Sequence, residues 1–256
     1  MSKPLVLLSN DDGFRARGLA LVKEALADFA DIVVCAPDYE QSAASHALSL
    51  HRPLRLFSHG DGVFSIDGTP ADCVYVALHA GSRVVPRRPD LVVSGLNHGL
   101  NLGDDVFYSG TVAAAREGSL KGIPSLAVSG APDTDQRAAA AVAVELARAL
   151  LDEGGQPLLL NVNFPGGSSW PMRATRLGSR VYKESIEFRR DPRGREYLWI
   201  GGQGVEHRMI AGSDTEAFDD GAVGVTALVL DLWNRDDHSR ADSIVGRALS
   251  SGSRGK

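Results

Sequence analysis

Cysteine is nearly absent from this chain. Cys35 and Cys73 are the only two in 256 residues, and they form neither a CxxC pair nor a disulfide framework. No apolar run approaches the ~20 residues that span a bilayer. The stretch Pro4-Leu5-Val6-Leu7-Leu8 turns polar at Ser9-Asn10-Asp11, too early for the core and cleavage site of a signal peptide. Without export signal or membrane span, the expected compartment is the cytoplasm. An excess of positive charge is missing too. The chain carries 27 Lys and Arg against 32 Asp and Glu, a formal net charge of −5, which argues against a polymeric nucleic-acid ligand. There is no internal repeat, and at 43% hydrophobic and 23% charged residues wholesale disorder is excluded. Glycine runs the other way: 28 residues, more than the usual share of about 7% supplies.

Short apolar runs alternate with helical patterns through the first part of the chain. Pro4–Ser9, Asp31–Ala36, Asp90–Ser94, Pro124–Ser129 and Pro157–Asn163 read as strands buried on both faces. Gly18–Phe29, Thr69-Pro70 to about His79, Gly110–Lys121 and Asp133–Asp152 read as helices. Thr69 supplies a cap, Pro70 a first turn, and Asp72 a carboxylate near the positive end of the dipole. The alternation predicts an α/β fold with a mainly parallel sheet covered by helices on both faces.

Beyond Phe164-Pro165-Gly166-Gly167, Met172–Val181 reads as an edge strand and Tyr182–Glu206 as a hairpin arm turning at Asp191-Pro192-Arg193-Gly194. Gly212–Asp219 reads as a loop, Gly221–Leu232 as a late strand rejoining the sheet, Ser239–Leu249 as a closing helix and Ser250–Lys256 as a frayed tail. An arm of about 25 residues cannot bury its own core. The expectation is therefore one domain: a core of about 1–170 and 219–235, an arm of about 173–212, and a C-terminal helix and tail of 236–256.

Ligands of an open parallel sheet bind outside the carboxyl ends of its strands. Ser9-Asn10-Asp11-Asp12-Gly13 follows the first strand, and two adjacent carboxylates repel unless a cation sits between them, by roughly 4 kcal/mol at 4 Å and an effective dielectric of 20. Pro37-Asp38-Tyr39-Glu40-Gln41-Ser42-Ala43-Ala44-Ser45-His46 follows the second. Ser94-Gly95-Leu96-Asn97-His98-Gly99-Leu100-Asn101-Leu102-Gly103 follows the third; it is neither a dinucleotide fingerprint nor a P-loop. Tyr108-Ser109-Gly110-Thr111-Val112 opens a helix and offers hydroxyls and free N–H groups to a phosphate. The donor types are hard oxygens and amides and no Cys or His cluster has zinc spacing, so Mg²⁺ or Mn²⁺ fits better than Zn²⁺. A hard cation beside a phosphate cradle points to phosphoryl chemistry.

These motifs resemble the SurE survival-protein family. They are Asn10-Asp11-Asp12-Gly13, Ala36-Pro37-Asp38 with Ser42, Gly68-Thr69-Pro70-Ala71-Asp72-Cys73, Ser94-Gly95-Leu96-Asn97 with Gly99 and Asn101, and Tyr108-Ser109-Gly110-Thr111-Val112. They occur in family order and spacing, and the resemblance spans roughly residues 4–235. It implies a Rossmann-like core and a metal-dependent phosphatase of nucleoside 5′- and 3′-monophosphates, in some members also of short polyphosphate. It implies one divalent ion per subunit held by Asp11, Asp12, Ser42 and Asn97, with phosphate bound by Ser109, Gly110 and Thr111 and helped by Asn97 and Asn101. It also implies a homodimer or homotetramer exchanging the arm and C-terminal segment. Ala44-Ser45 ahead of His46 departs from the family pattern, and the Ser45 hydroxyl stands in for a threonine.

Hydrolysis by metal-activated water is the expected mechanism, with Asp11 or Asp12 as base. A phosphoaspartate intermediate is the alternative, though haloacid-dehalogenase aspartates stand two residues apart and these are adjacent. His46 and His98 lie in the site loops, and His238 could reach a neighbouring subunit if the tail exchanges. Other readings are a phosphatase of polyphosphate or other phosphomonoesters, and a nucleotide sensor without turnover. The arm carries Arg173, Arg176, Arg180, Lys183, Arg189, Arg190, Arg193 and Arg195 against Glu184, Glu187, Asp191 and Glu196. That pattern reads either as attraction for an anionic nucleotide or as a solvated hairpin with paired charges.

Overall fold

The solid apolar runs become the inner strands of one sheet. In the computed structural model, which describes residues 3–182, 185–201 and 204–252, these are β1 (Leu5–Ser9), β2 (Asp31–Pro37), β5 (Leu91–His98), β6 (Ser125–Gly130) and β7 (Leu159–Phe164). Two short strands that the sequence reading passed over, β3 (Leu56–Ser58) and β4 (Val63–Ile66), extend one edge. The other edge carries β8 (Met172–Thr175) and β13 (Val223–Leu228). The order is β3-β4-β2-β1-β5-β6-β7-β13-β8. Every pairing is parallel except β3 with β4 and β13 with β7, so the sheet is mainly parallel as expected.

Helices α1 (Arg17–Leu26) and α4 (Gln136–Glu153) cover one face; α2 (Pro70–His79) and α3 (Gly110–Leu120) cover the other. Side chains of a strand alternate between faces, so Val6 and Leu8 join the α1/α4 core while Leu5 and Leu7 join the α2/α3 core. Thr69 caps α2 through a capping box with Asp72, as its sequence suggested. The α4 helix begins at Gln136, with Asp135 as its cap, rather than at Asp133. Cys35 and Cys73 are free and buried.

Three other expectations are corrected. β5 runs on through Asn97 to His98 with a register shift after Ser94, so half of the glycine-rich loop is strand. Met172–Val181 is two strands: β8 in the sheet, then β9 (Arg180–Tyr182), which pairs with β12 (Val205–His207) at the arm's root. Gly212–Asp219 contains a short helix, α5 (Asp214–Asp219), capped by Ser213. The arm itself is β10 (Ser185–Arg190) against β11 (Glu196–Gly201). Four arginines of the stretch 173–195 are paired: Arg189 with Glu187, Arg195 with Asp191, Arg180 with Asp105, and Arg173 with Asp220. The closing helix α6 (His238–Gly252) extends into the predicted tail. Lys183, Glu184 and residues 253–256 lie outside the described residues. Among the described residues no helix is long and apolar enough to cross a membrane.

One glycine fixes how the fold supports its strand ends. A Cβ on Gly18 of α1 would stand 2.0 Å from the Leu96 carbonyl oxygen, so the helix can approach β5 only without a side chain there. Gly18→Ala should lower stability by about 1–3 kcal/mol and the thermal midpoint by several degrees. A calorimetric melt indistinguishable from wild type would refute the close contact.

Candidate functional site

Because β1, β2 and β5 are parallel neighbours, their carboxyl ends emerge on one edge. Asn10 is fully buried and its Nδ2 donates to the Gly13 carbonyl at 3.0 Å, tightening the turn that holds Asp11 and Asp12. Gly13 takes φ +97° in that turn. The Gln41 N–H donates to the Asp11 carbonyl at 2.8 Å, tying the second loop to the first.

The fourth loop meets Asp11 directly. Thr111 Oγ1 donates to Asp11 Oδ1 at 2.5 Å, and a Cβ on Gly110 would lie 2.8 Å from the Asp11 Cβ. Only glycine lets the first turn of α3 come this close. The Thr111 hydroxyl, expected at a phosphate, is thus buried behind Asp11 and engaged by its carboxylate. Ser109 caps α3 by accepting from the Val112 N–H, which leaves its O–H free to donate.

Two clefts flank the aspartates. One, of about 280 Å³, is lined by Asp11, Ser42, Asn97, His98, Asn101 and Ser109, together with Asp105, Tyr108 and Tyr182. The other, of about 640 Å³, is lined by Asp12, Arg17, His98, Thr134 and Gln136 among others. Asp11 and the other expected donors therefore share one cavity, Asp12 lines the next, and His98 is common to both. The His98 N–H donates to Asp12 Oδ2 at 3.3 Å.

Burial raises the Asp11 carboxyl to about 6, with the neighbouring Asp12 charge adding and the Thr111 hydrogen bond opposing; no cationic side chain acts on it. Burial also raises Asp12. Two carboxylates short of counter-charge suit a cation. Asn97 Nδ2 donates to the Gly99 carbonyl at 2.8 Å, so its Oδ1 stays available. Ser42 donates to Glu40 at 2.7 Å and keeps its lone pairs. Among the described residues no three His, Cys, Asp or Glu side chains form a metal-binding group. Two carboxylates, a hydroxyl and an amide oxygen suit a hard divalent cation rather than a softer one.

Some residues lie elsewhere. His46 Nε2 is 2.9 Å from Oε2 of the buried Glu117 on α3, and it anchors its loop instead of facing the cleft. Ser45 Oγ donates to the Phe107 carbonyl at 2.6 Å, another anchor. His238 sits exposed on α6, 3.7 Å from Asp242, and lines neither cleft.

The sequence reading missed a polar support beneath Asn101. Asn163 Oδ1 accepts from the Asn101 N–H at 2.7 Å, and Asn161 and Asn163 both donate to its carbonyl. Asn101 Nδ2 donates to Ser129 Oγ at 2.7 Å and retains a second N–H. Two asparagines two positions apart in a buried strand were the available signal. Asp105 was missed as well; it bonds Arg180 and accepts from the Tyr182 hydroxyl at 2.6 Å.

The chain matches the family model described as Survival protein SurE over residues 6–184. A protein named 5′-nucleotidase SurE from Sorangium cellulosum (strain So ce56) is 65% identical over 236 residues, covering 90% of this chain and 92% of that one. A protein of the same name from Anaeromyxobacter sp. (strain Fw109-5) is 52% identical over 231 residues, covering 88% of this chain and 90% of that one. Among solved structures, the crystal structure of Sure protein from Aquifex aeolicus matches with a TM-score of 0.81 at 37% identity, covering 94% of this chain and 99% of that one.

The Asp11 shift sets a sign for stability. Its folded value of about 6 exceeds the ordinary 3.8, so the folded protein binds the extra proton between those values. Stability from this group is therefore lost as pH rises through that window, by roughly 3 kcal/mol. Metal-free wild type should lose stability relative to Asp11→Asn between pH 4 and 7 in urea unfolding, and Mg²⁺ or Mn²⁺ should restore it above pH 6. Parallel profiles for the two proteins would contradict the burial of an uncompensated charge.

Proposed function

The chain belongs to the SurE family, and from that premise we propose that it is a metal-dependent 5′-nucleotidase whose chemistry occurs beside Asp11. The observation that carries this is one cavity combining the Asp11 carboxylate, the Asn97 and Asn101 amides and the free hydroxyl of Ser109 at the positive end of α3. Nucleoside 5′- and 3′-monophosphates are the substrates of this reading.

Asp11, Asp12, Ser42 and Asn97 would hold one hard divalent cation. Bound there, it supplies Lewis-acid polarisation of phosphoryl oxygens and a lowered pKa for water. Ser109 O–H and the Asn101 amide donate to the phosphate, and the first-turn N–H groups of α3 add their dipole. Thr111 fixes the Asp11 rotamer from behind. Asp12, which lines the adjoining cleft and accepts from the His98 N–H, orients the attacking water and accepts its proton. Among the described residues lining the cavity His98 is the one imidazole, and it is the group to protonate the leaving oxygen. Apolar side chains exposed on the arm (Ile186, Phe188, Trp199, Ile200) and along the C-terminal segment (Val229, Leu232, Trp233) support a homodimer or homotetramer in which both segments pack on another copy.

Purified protein should release phosphate from nucleoside monophosphates with Mg²⁺ or Mn²⁺ and lose that activity in EDTA; undiminished turnover in EDTA would remove the cation from the mechanism. Asp12→Asn should lower kcat by about 10²-fold or more with an unchanged melting profile; a near-wild-type rate would rule Asp12 out as base. Light scattering should give a mass of two or four chains, and the double variant Phe188→Asp, Ile200→Asp should shift it towards one chain. An unshifted mass would argue against the arm as the interface.

A further inference from the structure

The catalytic cavity changes character along its length. Its inner end is all phosphate and cation chemistry: Asp11, Asn97, Asn101 and Ser109. Its exposed lining includes two phenol rings, Tyr108 and Tyr182, 67% and 45% exposed, from different parts of the chain, beside Ser42, Ala43 and His98. Tyr108 precedes the α3 cap, and Tyr182 ends β9 at the root of the arm.

Tyr182 is held rigidly for an exposed ring. Its hydroxyl donates to Asp105 Oδ1 at 2.6 Å, and the Arg180 guanidinium lies 5.2 Å from the ring centre and pairs with the same carboxylate. Neighbouring backbone is pinned as well: Asp214 accepts from the Gly103 N–H at 2.9 Å and from the Gly178 N–H at 2.7 Å. A ring fixed before binding loses little freedom when a flat ligand stacks on it. The charge balance selects what that ligand is. Asp105 and Arg180 neutralise each other, so the lining around Tyr182 carries no net charge to attract a second phosphate. Among the described residues lining the cavity, His98 is the single basic side chain. An extended polyphosphate would need cations along the whole cleft.

Resting on the phosphatase reading above, we propose that Tyr108 and Tyr182 form a stacking platform for the nucleobase, with Asp105 and Arg180 as positioning residues. The cleft thereby favours a phosphomonoester whose leaving alcohol carries a flat, uncharged aromatic base over sugar phosphates and polyphosphate. Base–aromatic stacking tolerates all bases, so the platform confers selectivity for nucleotides as a class.

The test compares kcat/KM for adenosine 5′-monophosphate and ribose 5-phosphate in the cation-loaded full chain, wild type and variants. Tyr182→Ala and Tyr108→Ala should each lower the ratio between the two substrates by about tenfold, mainly through the nucleotide KM. Tyr182→Phe keeps the ring and should hold the ratio within about threefold of wild type. Free adenosine, as a competitive inhibitor of ribose 5-phosphate hydrolysis, should lose about tenfold in affinity for the alanine variants. Equal losses on both substrates, an unchanged ratio, or a Phe variant as impaired as Ala would overturn the platform. Wild-type protein that hydrolyses neither substrate would instead overturn the phosphatase reading on which it rests.

Discussion

The carboxylate of Asp11 is buried at the end of β1 and pressed against the first turn of α3, where the Thr111 hydroxyl holds it. Most of the surrounding design follows from that contact. Gly110 has to lack a side chain for the helix to reach the carboxylate. The Asn10–Gly13 turn has to be tight to deliver Asp11 there, and Gln41 ties the next loop to the same residue. The cost is an acid that burial raises to about 6 with no basic partner, a state that a cation bound there would relieve. Local destabilisation of this kind is common where a site is preorganised for charge.

The asparagines solve a related problem. Asn97 and Asn101 must present amides to the cleft from a strand end and a loop with little regular structure. Asn97 is oriented because the Gly99 carbonyl can only accept, and Asn101 is clamped by Asn161, Asn163 and Ser129. The Asn101 clamp is buried, where a hydrogen bond left unmade is expensive, so that polar network specifies one arrangement. His46 and Glu117 do the same for the loop bearing Ser42, whose Ala43 and Ser45 sit at positive φ.

The sequence disclosed the layered α/β core because β1, β2, β5, β6 and β7 are continuous apolar runs bounded by turn residues. It concealed β3 and β4 because strands of three and four residues, the first exposed and the second half-buried, are too short to show such a run. It concealed α5 for a different reason: Ser213 and Glu216 form a helix-start pattern, but a six-residue segment with four polar side chains reads more simply as a loop. The extension of β5 through Asn97 was hidden by glycines that normally break strands.

For the site, residue types and their positions after strands were enough to nominate Asp11, Asp12, Ser42, Asn97, Asn101 and Ser109, because chemistry and strand polarity are both local. Direction was not. That Thr111 turns inward to Asp11, that His46 turns to Glu117, that Asp12 opens on a second cleft, and that Tyr182 from the arm completes the first are contacts across 71 to 100 residues or between separate elements. Such contacts depend on how helices and arm pack on the sheet. Sequence alone determined which oxygens gather at one sheet edge; the tertiary structure decided which of them face the cleft, because side-chain orientation is set by neighbours distant in the chain.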